Sequence, residues 1–161
     1  MNYFDNLPDS SRIWIYNTAG TLTEQEIDLI LSRGAEFLKD WTSHGAAMMA
    51  QMDVLHNRFV VLALDESAAN ASGCGIDKSV HFIKSIGAEI NKDLFQRTTV
   101  FYKDSGEIKS SPIHEFWAMK KAGIIKDDTI VFDNTIQTLG ELRNNWEIPF
   151  AKSWHQEMWM R

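Results

Sequence analysis

The 161-residue chain has a single cysteine, Cys74, so no internal disulfide can staple it, and its three prolines (Pro8, Pro112, Pro149) are too scattered to mark a linker. Basic residues are the minority, 16 Lys and Arg against 22 Asp and Glu, and the net charge of −6 argues against nucleic acid as a partner because it repels phosphate backbones. The longest apolar run, Phe59 to Leu64, falls far short of the ~20 residues that a membrane helix needs, so no membrane association is expected. The segment Met1-Asn2-Tyr3-Phe4-Asp5-Asn6-Leu7-Pro8 carries neither a basic nor an apolar leader region, and a cytoplasmic location is expected. No Gly-x-x-x-x-Gly-Lys-Ser/Thr string is present to cradle phosphates. His44, His56, His81, His114 and His155 never form a close pair, and one thiol cannot build a zinc cluster, so neither metal nor cofactor is expected.

What remains is enough for one domain. At this length folding buries roughly 70% of the surface of the unfolded chain, so a core needs no staple. Arg12-Ile13-Trp14-Ile15-Tyr16-Asn17 is aromatic and β-branched and reads as a first strand. Thr23-Glu24-Gln25-Glu26 is a capping box, with Leu22 and Ile27 placed as a hydrophobic staple. Ile27, Ile30, Leu31, Leu38 and Trp41 continue at helical spacing, predicting a helix to about Asp40. Alternation from Ala46 to Val54 predicts a second strand, Phe59 to Asp65 a third, and His56-Asn57 a two-residue turn between them that pairs Leu55 with Arg58 and Met48 with Asp65. Ile76, Val80, Ile83, Gly87 and Ile90 predict a second helix, and Arg97 to Tyr102 a fourth strand closing at Asp104-Ser105-Gly106.

This βαββαβ order is that of the ferredoxin-like plait, an α+β fold with an antiparallel sheet and two helices on one face. Its core would span about residues 11–103, followed by a C-terminal α/β extension over about 104–161, all within a single domain. In the extension, Ser111-Pro112 predicts a helix start with Gly123 as its stop, Thr129 to Phe132 a strand, and Thr135 to Arg143 a short helix. Strands one and three are apolar on both faces, so something must cover the face that the helices leave bare. The extension, with Trp117, Trp146, Trp154 and Trp159, is the expected cover, and a second copy of the chain is the alternative, making a homo-oligomer possible.

Candidate chemistry collects at one rim of this plait, where the topology places Arg12, Trp41, His44, Asp65, Glu66, Ser72, Cys74 and Lys103. A thiol near a helix N-terminus is drawn toward the thiolate. His44 is the candidate base, with Asp65 or Glu66 orienting it, while Ser72, Gly73, Gly75, Trp41 and Arg12 are candidate ligand-binding residues. Asp77 and His81 share a helix stripe with Cys74, but seven residues of helix rise roughly 10.5 Å, too far for a bond from Cys74 to His81. Ser153-Trp154-His155 looks motif-like, with Trp154 expected as a packing anchor and His155 at the surface. An RNA-recognition reading ranks third, because strand three offers one aromatic and no basic platform.

Ser72-Gly73-Cys74-Gly75-Ile76-Asp77-Lys78-Ser79-Val80, Asn57-Arg58-Phe59, Asp93-Leu94-Phe95-Gln96-Arg97 and Ser153-Trp154 together resemble a family of short Bacteroidetes proteins over most of the chain. Members often carry the transferred name "ABC transporter ATPase", which implies a phosphate loop that this sequence lacks. The resemblance implies kinship and no catalytic residue. Two functions are therefore expected in competition: a module that binds a small ligand or a protein, and a thiol-dependent enzyme with Cys74 as its nucleophile.

Overall fold

The computed structural model describes residues 3–42, 49–67 and 73–161. Strand β1 (Arg12–Asn17), helix α1 (Glu24–Thr42), β2 (Met49–Leu55), β3 (Phe59–Asp65) and helix α2 (Gly73–Ile90) come first, in the expected order. The capping box forms as read: the Glu26 backbone N–H donates to Thr23 Oγ1 at 3.1 Å, and the Thr23 N–H to Glu26 Oε1 at 2.9 Å. Next follow β4 (Thr99–Asp104), β5 (Glu107–Pro112), α3 (Ile113–Lys121), β6 (Ile130–Phe132), α4 (Leu139–Asn145), β7 (Glu147–Pro149) and α5 (Trp154–Trp159).

Two antiparallel sheets result, one in the order β1-β3-β2 and one in the order β5-β4-β6-β7. The strand predicted to complete a plait beside β1 joins the second sheet instead, as β4, pairing with β5 and touching β6 through Tyr102 and Val131. Its aromatic payload explains the choice: Phe101 packs against Phe59 of β3 at 4.8 Å between rings, across the sheets rather than along the edge of β1.

The hairpin register differs by one residue from the expected one. His56 and Asn57 both take the left-handed backbone conformation predicted for them, but Arg58 also stays out of the ladder. Leu55 therefore pairs with Phe59, and Met49 with Asp65. The gain is that Phe59 shares a face with Leu55 in the core, while the Arg58 guanidinium donates to the carbonyls of Ala19 and Ile108.

Strand β3 is buried on both faces, as its composition required, with every residue from Phe59 to Leu64 at 0% exposure. One face meets α1 and α2 through Val60, Ile30, Ile83 and Ile86, with Leu62 and Leu64 packed on Trp41. The other face carries Phe59, Val61 and Ala63, beside Leu55 of β2, against Phe101, Phe132, Leu139, Leu142 and Trp146, so the chain's own C-terminal part fills it. Of the four tryptophans expected there, Trp146 does the covering, whereas Trp117 and Trp159 pack in a separate cluster between α3, α5 and the second sheet. Pro112 caps α3 without a side-chain bond instead of opening it, and Gly123 ends that helix at φ 80° as expected. Among the described residues, no helix is long and apolar enough to cross a membrane.

Candidate functional site

Of the predicted rim residues, His44 and Ser72 lie outside the described residues. Gly73 opens α2, and Cys74, its second residue, is exposed as a free thiol. Trp41 at the end of α1 is buried, and its indole N–H donates to the Gly75 carbonyl at 2.9 Å, tying the two helices at this corner. Trp41 meets Trp14 edge to face at 6.4 Å, the Arg12 guanidinium sits 4.7 Å over the Trp14 ring, and Glu66 lies 4.0 Å from Arg12. The structure thus does bring Arg12, Trp41, Glu66 and Gly75 to one corner.

Asp65 accepts the Ser67 backbone N–H at 2.9 Å, and that bond holds its carboxyl below the usual carboxylate range. Lys103 is elsewhere, a correction that follows from β4 joining the second sheet. It pairs with Glu147, whose other partner is His56 at the hairpin turn, the end of β3 opposite Asp65. Among the described residues no group of three His, Cys, Asp or Glu is arranged to hold a metal ion.

A different feature stands out, a cleft of about 610 Å³ along the outer edge of β1. Leu94 to Arg97 and Thr99, in the segment after α2, border one side, and Phe132 with Asn134 to Gln137 borders another; Val80 and Lys84 of α2 and Trp154 and His155 of α5 complete the lining. The cleft exists because β4 left the place beside β1 that a plait would fill. Among the described residues, backbone bonds tie only the two ends of that edge: the Ile13 N–H donates to the Gln137 carbonyl at 3.0 Å, and the Asn17 N–H to the Leu94 carbonyl at 2.9 Å.

The lining is polarised in two ways. Its cations are Arg12, Lys84 and Arg97, and no carboxylate stands among the described lining residues, although the chain as a whole carries net charge −6. Its aromatic walls are organised by Phe95, edge-on to Tyr16 at 5.2 Å, with the Lys84 Nζ 5.8 Å above the Phe95 ring. Burial pushes the Tyr16 phenol up, against a smaller opposing pull from the Ser79 hydroxyl, so the phenol keeps its proton at neutral pH.

Three lining residues bury a side-chain polar atom that finds no partner among the described residues: Asn17 Oδ1, Trp154 Nε1 and His155 Nδ1. His155 is 1% exposed, which corrects the surface position expected for it, and its ring stacks on Trp154 at 3.8 Å and lies against Phe116. Burial lowers its pKa from 6.5 to about 4 despite the opposing field of Asp133, so it is a neutral imidazole at physiological pH.

Arg12 is the predicted binding residue that the cleft takes up. Asn17, Lys84, Phe95, Arg97, Trp154 and His155 were not expected there, and the one signal for any of them was the motif-like Ser153-Trp154-His155. No protein family, no curated protein and no solved structure matches the chain.

Proposed function

We propose that the protein is a binding module whose ligand occupies the cleft beside β1. The observation that carries this reading is the set of buried, unpartnered polar atoms on Asn17, Trp154 and His155, all belonging to residues that line the cleft. A buried polar group without a partner costs roughly 1–3 kcal/mol, a cost recovered when binding turns these closed-off side chains toward a ligand that supplies the missing bonds. The volume suits such a role, since small-ligand pockets run from about 300 to 1,000 Å³ and combine apolar walls with a few convergent polar groups. The lining cations make the ligand anionic.

The same reading treats β1-α1-β2-β3-α2 as a ferredoxin-like plait whose fourth strand position is the binding cleft, in a cytoplasmic protein with kinship to the Bacteroidetes family. The thiol at Cys74 is not needed for it. The test is an NMR titration with amino acids, dicarboxylates, nucleotides and short acidic peptides at millimolar concentration, following the Trp154 indole N–H assigned through a Trp154→Phe variant. A saturable shift of the Trp154 and His155 signals is expected from at least one class. If every class leaves both signals in place, the cleft is not the site.

A further inference from the structure

We infer that the cleft takes an acidic peptide in extended form, which adds a strand to the outer edge of β1. This inference rests on the reading of the cleft as the ligand site and names the class of occupant. Along an antiparallel strand, alternate residues turn their N–H and C=O toward the same neighbour. Because Ile13 and Asn17 point their N–H groups away from β3, Ile15 between them points the same way. The Ile15 N–H, the Ile15 C=O and the Ile13 C=O therefore face the cleft, and no backbone group among the described residues meets them. An unpaired strand edge is a template for another extended chain.

The ends of the gap set its length. Gln137 and Leu94 bind the edge at Ile13 and Asn17, four residues apart, or about 13 Å of strand. A segment of three or four residues fits between those anchors, with one of its residues exchanging both backbone bonds with Ile15.

Charge decides the side chains. Arg12 pairs with Glu66 at 4.0 Å, whereas Lys84 and Arg97 form no ion pair among the described residues, so two of the three lining cations are left without an internal counter-charge there. Acidic residues at alternate positions of an added strand would lie toward Lys84 on the Phe95 side, and the apolar wall formed by Phe132 and Ile136 on the opposite side suits β-branched residues between them.

The experiment measures binding of the tetrapeptide acetyl-Glu-Val-Glu-Val-amide to the full chain by calorimetry, together with hydrogen exchange of the Ile15 amide. Saturable binding with at least tenfold slower Ile15 exchange is expected. A version with lysine in place of glutamate, and one with methylated backbone nitrogens, should each bind at least tenfold more weakly. Changing both exposed cations, Lys84→Glu with Arg97→Glu, should weaken the acidic peptide at least tenfold and improve the lysine version.

Equal binding of the methylated peptide, or of the lysine peptide, overturns strand addition by an acidic segment and leaves the cleft as a binding site of another kind. If the peptides fail while dicarboxylates or nucleotides shift the Trp154 signal, the peptide class falls and the binding module stands. If no probe of either kind moves Trp154 or Ile15, both readings fall together.

Discussion

His155 makes the protein's stability depend on pH in a window that few other groups share. Unfolded, its imidazole titrates near 6.5; folded, burial holds it to about 4, so between these values the unfolded chain binds a proton that the native state refuses. Stability from this group is complete above pH 6.5 and is lost as pH falls, fully so below pH 4. At about 1.4 kcal/mol per pH unit, the whole effect is about 3 kcal/mol, and about 2 kcal/mol of it is gone by pH 5. For a chain that loses about 2 kcal/mol per molar urea, that is a fall of about 1 M in the unfolding midpoint. Urea unfolding followed by tryptophan fluorescence at pH 7.5 and pH 5 reads it directly. His155→Gln should flatten the difference. A wild-type midpoint that moves by less than about 0.2 M, or a variant that moves as far as the wild type, would refute the burial argument.

Arg143 on α4 donates five bonds, to the carbonyls of Tyr3 (twice), Phe4 and Leu7 and to Asp9, and so ties the N-terminal segment onto the core. Arg143→Met should cost about 3–5 kcal/mol in urea unfolding, with Arg143→Lys recovering only part because an ammonium lacks the planar fork; a loss under about 1 kcal/mol would contradict the account. Glu147 is held at about 2, chiefly by its bond to His56 and, against partial burial, by Lys103 as well. Its stabilisation is complete above pH 4.5 and lost as pH falls toward 2, so Glu147→Gln should flatten the dependence of the urea midpoint on pH across that range. A Cβ on Gly87 would lie 2.7 Å from the Lys92 carbonyl oxygen, whereas one on Gly73 meets nothing within 4 Å. Gly87→Ala should therefore cost about 1–3 kcal/mol and Gly73→Ala should be neutral or stabilising by up to about 1 kcal/mol; thermal melts showing the same sign for both would count against this.

The parts of the candidate site that could be read beforehand were those with a local signature. Arg12, at the start of an aromatic strand, belongs to the cleft, and so do Trp154 and His155, although the motif-like Ser153-Trp154-His155 promised only a packing anchor and a surface histidine. The remaining lining residues come from segments whose sequence gave no sign that they would converge. Lys84 has the pattern of a solvated helix flank and Arg97 that of a strand start, and each became part of a cation set only through the placement of its neighbours.

The amino-acid order alone determined β1, the capped start of α1 and the left-handed turn at His56-Asn57, because each depends on interactions between residues a few positions apart, and it required two-sided burial of β3 because that strand has no polar face. Tertiary structure decided the hairpin register, the sheet that β4 would join, the burial of His155 and the opening beside β1. Backbone hydrogen bonds are alike on any strand edge, so the choice among edges fell to side-chain packing such as Phe101 on Phe59 between the two sheets, and to the β5 partner that β4 meets across its tight turn.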